Sequence, residues 1–372
     1  MIIKMNDIII KICDYLYDYD KLCFLSITKK HNERKKNIHF NEKVHVTKIK
    51  KLNYFDSFTN IKIEYGMDKY PKSLTSLTID NNSDEDIEIP KTIKNLTIKD
   101  ANEKIIKNLC EGIEKIEIGF TIKNMKKYIP KSVKHLKIGS LCRYSDVTNC
   151  IPENVTHLTI SGIMTETIKG KIPTNVTHLI LDDVQLKKCD RSLKNCFHEG
   201  LISLELYGTM FEGELDGCIP HSIKHLVINE PGRNIKIKAI PEGVTYLDIG
   251  TISIDNIPNT VTHLIMCFND EKWRFIPPSV IYLDILGAKY KKNLVPKNVK
   301  HLVFQNYRKE CAPRNIPLHV EFVTYKNVDL TMINRSKLEM IDLYDIPAHI
   351  KMIVMGPLTI RNINYRFDEN NI

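Results

Sequence analysis

A ten-residue phrase recurs along most of the chain, and it restricts the fold more than any other feature. It reads Ile-Pro-x-(Ser/Asn/Thr/Gly)-(Val/Ile)-(Lys/Thr)-(His/Tyr/Asn)-Leu-x-Ile. Clear copies begin at Ile129, Ile151, Ile172, Ile219, Ile240, Ile257, Ile276 and Val295. Weaker copies begin at Tyr70, Ile89, Leu109, Phe197, Ile316 and Ile346. Successive phrases stand mostly 17 to 25 residues apart, a spacing at which each repeat is one small structural unit. A unit of that size cannot bury enough apolar surface to offset the entropy of ordering its backbone. The units must therefore stack, each sharing its edges with two neighbours. Such an array presents surfaces for holding another molecule rather than a deep catalytic pocket.

Numbering the phrase from its Ile, positions 5, 8 and 10 are apolar in nearly every copy: Val155, Leu158 and Ile160; Ile223, Leu226 and Ile228; Val299, Leu302 and Phe304. Positions 8 and 10 share one strand face because strand side chains alternate, and positions 7 and 9 face the other way. Proline at position 2 cannot donate to a ladder, so it belongs at a corner before the strand. Each phrase thus predicts a corner followed by a short parallel strand. The residues between phrases are too short and polar for a full helix in most copies, so loops, turns and short extra strands are expected there. Three residues after position 10 stand Leu141, Ile163, Val184 and Ile252, so the turn after the strand has no Asn to satisfy it.

Over 372 residues the net charge is +9, too mild and too dispersed to imply nucleic acid as a partner. No window carries the apolar run needed to cross a bilayer. The opening MIIKMNDIIIKICDYLYD is broken by Asp7, Lys11 and Asp14 and reads as no signal peptide. Ten cysteines are scattered without a CxxC pair, which predicts reduced thiols and a cytoplasmic chain, with a nuclear location as the second choice. The pairs Cys142/Cys150 and Cys189/Cys196 lack the companions a zinc site needs. No metal and no cofactor are expected.

The phrase resembles the FNIP repeat, a leucine-rich-repeat relative abundant in social amoebae and giant viruses of amoebae. The resemblance covers roughly residues 70 to 355, although the Phe-Asn half of the signature survives only at Phe268-Asn269, and Cys110 and His198 replace the proline in two copies. Residues 5 to 40 read differently. Apolar residues at Ile8, Ile9, Ile12, Tyr15 and Leu16 make a helical stripe with Asn6 or Asp7 as N-cap, and Asp20 is placed to cap a second helix through Ile27. The order Asp7-Ile8-Ile9, Ile12, Tyr15-Leu16 and then Leu22-Cys23-Phe24-Leu25-Ser26-Ile27-Thr28-Lys29-Lys30 resembles an F-box, with Met5-Asn6 in place of its Leu-Pro opening. That resemblance implies docking on the Skp-type adaptor of a cullin-RING ubiquitin ligase through Ile8, Ile9, Ile12, Leu16, Leu22 and Leu25. A plain helical cap over the open end of the repeat core accounts for the same stripe.

The expected fold is α+β: a short N-terminal helical F-box-like segment (1–45), a linker and degenerate first repeat (46–69), a leucine-rich-repeat-like parallel β solenoid of FNIP-type repeats (70–360) and a tail (361–372). Catalysis finds no support, because the chain holds no GxSxG, Walker A, GxGxxG, HExxH or kinase signature. The histidines at position 7 (His135, His157, His178, His225, His263 and His301) recur too regularly for convergent ligands and read as a surface ladder. Positions 7 and 9 alternate in wording: His178 with Ile180, Ser203 with Glu205, His225 with Val227, Tyr246 with Asp248, His263 with Ile265, Tyr282 with Asp284, His301 with Val303. Read as exposed, those rows form a target-binding surface; duplication of a two-repeat unit leaves the same pattern behind. Two functions follow: a substrate-recognition adaptor of a ubiquitin ligase, or a non-enzymatic interaction scaffold without ligase recruitment.

Overall fold

The computed structural model describes residues 5–80, 86–99, 103–119, 125–139, 151–163, 168–185, 193–208, 215, 217–229, 237, 239–250, 252, 254, 256–267, 276–286, 290, 292–305, 315–326, 349–350, 352–355 and 358–361. Cys142, Cys150, Cys189 and Leu141 lie outside them. The chain falls into two units, Met1–Val176 and Thr177–Ile372.

The first unit opens with helices α1 (Met5–Asp14), α2 (Asp18–Ser26) and α3 (Lys29–Glu33). Helix α1 already contains Asn6 and Asp7, so neither is its N-cap, and α2 begins at Asp18 behind Tyr17 with no side-chain cap. Thr28 caps α3, accepting from the His31 N–H at 3.1 Å. A ladder of parallel strands follows: β1 (Val44–His45), β2 (Asn60–Ile63), β3 (Ser76–Ile79), β4 (Asn95–Ile98), β5 (Lys115–Ile118), β6 (His135–Ile138) and β7 (His157–Ile163). The ladder therefore starts at β1, before the first recognisable phrase. The short helix α4 (Glu103–Lys107) and a 3₁₀ turn at Met125–Lys127 occupy return segments.

The second unit repeats the scheme with β8 (His178–Gln185), β9 (Ser203–Tyr207), β10 (His225–Asn229), β11 (Tyr246–Asp248), β12 (His263–Cys267), β13 (Tyr282–Leu286), β14 (His301–Phe304), β15 (Phe322–Tyr325) and β16 (Met352–Met355), each parallel to the next. One strand departs from the expected pattern. The last, β17 (Leu358–Arg361), runs antiparallel to β16 with Met352 opposite Arg361. Only two residues join these strands, and so short a link permits a hairpin but not a parallel crossover.

Phrase positions align rung by rung: His225, Tyr246, His263, Tyr282 and His301 are direct partners at position 7, and Leu226, Leu247, Leu264, Leu283 and Leu302 at position 8. Positions 5, 8 and 10 are buried throughout, from Val133, Leu136 and Ile138 to Val320, Val323 and Tyr325. Position 1 is buried too, so Ile129, Ile151, Ile219, Ile257 and Ile316 plug the core at the corner. The proline carbonyl at position 2 accepts the N–H of position 5, as in Val176 to Pro173 at 3.0 Å and Val261 to Pro258 at 3.1 Å. The Pro-x-x-Val wording is thus a closed turn that aims the chain into the strand.

The backbone of the next repeat then enters the ladder unevenly. The N–H groups of positions 6 and 7 both donate to the position-6 carbonyl of the preceding repeat, as Ile281 and Tyr282 do to Thr262 and Lys300 and His301 do to Ile281. The position-5 carbonyl is left without a backbone donor. Position 4 supplies one. Ser132 Oγ donates to the Ile113 carbonyl at 2.7 Å, Asn154 Nδ2 to Val133 at 2.5 Å, Ser222 Oγ to Leu201 at 2.5 Å, Thr260 Oγ1 to Val244 at 2.8 Å and Ser279 Oγ to Val261 at 2.7 Å. Asn175 and Asn298 reach further, to the position-3 carbonyls of Glu153 (2.5 Å) and Pro278 (2.6 Å). Buried carbonyls seek such partners, which explains the Ser, Thr or Asn that most copies carry at position 4; Gly112, Gly200 and Gly243 in the copies at Leu109, Phe197 and Ile240 supply no such donor.

Two glycines are required by close approach. A Cβ at Gly119 would lie 2.2 Å from the Lys99 carbonyl oxygen, and one at Gly250, whose φ is +48°, 2.9 Å from Asn229 Oδ1. Positive φ bends the chain after the phrase, at Gly162 and Asp183 within the longer strands β7 and β8 and at Gly208 and Gly250 just past β9 and β11. Val184 and Ile252, which stand three residues after position 10, are buried in the core.

Candidate interaction faces

Two surfaces gather the residues singled out from the sequence. The first is the N-terminal helical segment. Ile8 and Ile12, one turn apart on α1, are 42% exposed, and Tyr15, at the next turn, is 90% exposed. Tyr17, Tyr19 and Ile27 are exposed as well. The six expected adaptor contacts divide. Ile8 and Ile12 are open, Leu16 and Leu22 half-buried, and Ile9 and Leu25 buried. The correction has a simple cause. A stripe that includes both Ile8 and Ile9 spans too wide an arc for one contact, and the Ile9/Cys13 edge turns inward while the Ile8/Ile12/Tyr15 edge turns outward.

The segment is fastened to the first rungs of its unit. Asp18 and Glu42 exchange hydrogen bonds, each carboxylate accepting the other's backbone N–H, at 2.7 and 3.0 Å. Lys21 Nζ bonds Asp18 Oδ1 at 2.8 Å and the His39 carbonyl at 3.0 Å, in a buried ion pair. Lys35 of the basic stretch is buried too, donating to Ser26 Oγ and lying over the Tyr54 ring. Phe40, Tyr54 and Phe58 stack beside it.

The second surface is the strand face opposite the core. In the first unit it is small and polar, with charges matched in place: Glu117 with Lys137 at 3.1 Å, and Asp80 with Lys62 and Lys99. Only the His135–His157 stack, 4.1 Å between centroids, breaks that pattern. In the second unit the face is larger and more apolar. Position 7 forms a ladder of rings: His225 on Tyr246 at 4.1 Å, His263 on Tyr282 at 5.4 Å, Tyr282 edge-on to His301 at 4.8 Å and His301 beside Phe322 at 6.0 Å. Threonines at position 6 pin some of these rings, with Thr177 Oγ1 2.9 Å from His178 Nδ1 and Thr262 Oγ1 3.0 Å from His263 Nδ1.

Position 9 overturns the expectation of an exposed row. Val227, Ile265, Asp284 and Val303 are buried, whereas Ile180, Glu205 and Asp248 are partly open. Strands about 4.8 Å apart bring equivalent side chains into contact, and position-11 side chains close on the row in places, Tyr207 on Glu205 and Gln305 and Lys326 on Asp284. The row is therefore a floor between two rims. The solvent-facing parts of the predicted surface are the rings of His178, His225, Tyr246, His263, Tyr282 and His301.

Charges on that floor are handled unequally. Asp284 has no exposed surface; Gln305 Nε2 donates to its Oδ1 at 3.0 Å and Lys326 Nζ to its Oδ2 at 2.5 Å. Glu205 accepts the Tyr207 hydroxyl at 2.9 Å and lies 3.5 Å from His225 Nε2. Asp248 accepts one hydrogen bond, from the Gly250 N–H at 3.1 Å. Burial pushes the Asp248 carboxyl above its usual range, with nearby Asp284 adding to the shift and Gly250 and Lys326 opposing it. Burial holds His225 and His301 below the ordinary imidazole value, against the pull of Glu205 and Asp284. Tyr246 and Tyr282 are raised by burial and then by the adjacent carboxylates. Among the described residues no group of three His, Cys, Asp or Glu side chains gathers to hold a metal, and no helix is long and apolar enough to cross a membrane.

The stacked rungs, their common register and the repeated corner settle the architecture. The chain is a repeat protein. No protein-family model matches this repeat protein. It is 26% identical over 249 residues to an FNIP repeat-containing protein of Acanthamoeba polyphaga mimivirus, an alignment covering 67% of the chain and 43% of that protein. The chain thus spans less than half the length of the curated relative it matches. Among solved structures it is similar to CroV588, a circular leucine-rich-repeat protein, at 20% identity and a TM-score of 0.48, covering 85% of this chain and 52% of that one. YopM from Yersinia enterocolitica is similar at 14% identity and a TM-score of 0.39, covering 72% and 59%.

Proposed function

We propose that the chain is a substrate-recognition adaptor: its N-terminal helices bind a Skp-type adaptor and thereby a cullin scaffold, and the strand face of its second unit binds the target protein. The observation that carries this reading is the exposed apolar stripe of Ile8 and Ile12 on α1 and Tyr15 just past its end, with Tyr17, Tyr19 and Ile27 close by in sequence. Large apolar side chains left open together mark an interaction site. The contact set inferred from the F-box resemblance changes accordingly, to Ile8, Ile12 and Tyr15, with Leu16 and Leu22 at the margin; Ile9 and Leu25 serve the segment's own core. The rings at position 7 suit the target side, since aromatic groups dominate recognition energetics. The proposed location is the cytoplasm, or the host cytoplasm for a viral gene, and neither nucleic acid nor membrane is part of the proposed function.

A second reading keeps the target face and removes ligase recruitment. The Asp18–Glu42 exchange, the buried Lys21 and Lys35 and the buried Ile9 and Leu25 favour a helical cap for the repeat ladder. A binding titration of the full chain with a Skp-type adaptor separates the two. Micromolar binding lost on Ile12→Asp supports the adaptor, and no binding by the wild-type chain leaves the scaffold.

A further inference from the structure

The two aspartates on the floor of the second unit occupy equivalent places and receive unequal treatment. Asp284 lies in β13. Its amide partner Gln305 stands at position 11 one rung later, and its ammonium partner Lys326 at position 11 two rungs later. For Asp248 in β11 the same two places hold Cys267 and Leu286. Neither supplies a strong donor. For Glu205 in β9 they hold Asn229 and Gly250. The chain thus builds a complete cation seat at Asp284, fills it with its own lysine, and repeats the carboxylate two rungs away without a bonded cation, Lys326 acting on Asp248 only as a nearby charge.

We propose that the strand face of the second unit binds a protein partner through a cationic side chain, arginine or lysine, seated on Asp248 beside the Tyr246 ring of the same strand. The proposal rests on the reading of this face as the target surface and names the chemistry of what it takes. Lys326 on Asp284 displays that chemistry within the chain. A half-buried carboxylate with a single backbone N–H is under-satisfied, and an incoming cation restores its balance. The Tyr246 ring, two residues before Asp248 on the same strand face, adds the attraction of an aromatic face for a cation. Charge complementarity is local: Glu205, Asp248 and Asp284 face one ammonium, in a chain whose net charge of +9 repels cationic peptides elsewhere. The spacing extends the match. Glu205 and Asp248, both partly open, stand two rungs apart and so roughly 10 Å from each other, and in a polyproline II segment every third side chain points the same way at intervals of about 9 Å.

The test uses the full chain and a fluorescein-labelled nine-residue peptide of three Pro-Pro-Arg triplets, with a Pro-Pro-Glu control, read by anisotropy. The expected result is binding of the arginine peptide and none of the control. Asp248→Asn should weaken binding at least tenfold. Leu286→Lys, which places a lysine where Lys326 stands relative to Asp284, should fill the seat from within and weaken binding at least tenfold while the thermal midpoint stays within a few degrees. No binding by the wild-type chain at millimolar peptide, or equal binding by either variant, overturns the proposal. Capture of target from a host extract separates its failure from that of the underlying reading. Capture that survives Asp248→Asn and Leu286→Lys but is lost when Tyr246, Asp248, Tyr282 and Asp284 all become alanine rejects the cation while keeping the face. Capture that survives all four alanines rejects the face.

Discussion

Replacing Ser279 by alanine tests the link between repeats. Its hydroxyl donates to the Val261 carbonyl at 2.7 Å, and that carbonyl accepts no backbone N–H, because the N–H groups of Ile281 and Tyr282 both go to Thr262. A carbonyl left unpaired inside a protein costs about 1 to 3 kcal/mol. Ser279 is only half-buried, so water reaches part of the gap, and about 1 kcal/mol is the expected loss for Ser279→Ala. Ser279→Asn should cost about half of that or less, since Asn154 makes the equivalent bond to Val133. Changing Ser222, Thr260 and Ser279 together to alanine should cost up to about 3 kcal/mol, less any coupling between Thr260 and Ser279, which stand on adjacent rungs about 4.8 Å apart. That is a large share of the roughly 5 to 15 kcal/mol that holds a typical domain together. Urea unfolding followed by circular dichroism measures each step, with an unchanged slope showing that the folded state is intact. If the triple variant loses under about 0.5 kcal/mol, or if Asn is as harmful as Ala, the hydroxyl is not the fastening described here.

Leu226, buried at position 8 of β10, should cost about 2 to 5 kcal/mol when cut to alanine, in the same unfolding assay; a loss under 1 would mean the rung collapses around the gap. Polar substitution of Ile8, Ile12 and Tyr15 should abolish binding to a Skp-type adaptor with the ladder still folded, whereas Ile9→Asp should unfold the helical segment itself, seen as faster amide exchange over residues 8–26. Acidification should destabilise the second unit. His225 and His301 sit below their ordinary value of about 6.5, so the unfolded chain takes up protons first; the stability they contribute is complete above about pH 6.5 and is lost as pH falls towards the folded values. The raised Asp248 works in the opposite sense. The double variant His225→Phe/His301→Phe should therefore show a flatter melting midpoint between pH 7 and 5, and an unchanged slope would remove these histidines as the cause.

The ladder was legible because its signal is periodic: Val155, Leu158 and Ile160 recur with the same spacing in copy after copy, and a face buried on every rung leaves little freedom of register. The corner proline was legible for the same reason. Position 4 carried an equally clear signal, Ser, Thr or Asn, but its partner is a carbonyl some twenty residues earlier, and no local pattern names that acceptor. The position-9 row was misjudged because alternation tells which side of a strand a residue faces, not how crowded that side is. Val227 and Val303 face away from the core and are still covered, by rings and long side chains on their own face. On α1 the stripe was visible, yet which edge of it turned inward depended on the Asp18–Glu42 clamp that orients the segment. The reversal of β17 had a signal outside the repeat phrase, the Gly356-Pro357 dipeptide between β16 and β17, a turn marker that periodicity passes over.

Where position 4 is Ser, Thr or Asn its side chain reaches only backwards, so that such a repeat hooks its predecessor and offers a carbonyl to its successor. That polarity makes the gene editable in whole words. Removing one complete repeat rejoins a hook to a carbonyl of the same kind, while removing part of one strands both. The face obeys a second, coarser grammar, because carboxylate and aliphatic residues alternate along Glu205, Val227, Asp248, Ile265, Asp284 and Val303. A single repeat gained or lost keeps the fold and throws the charges out of phase with any ligand; two at a time preserve both. Lineages that lengthen or shorten such a protein should do so in even steps wherever the partner is retained, and in odd steps where it has been exchanged.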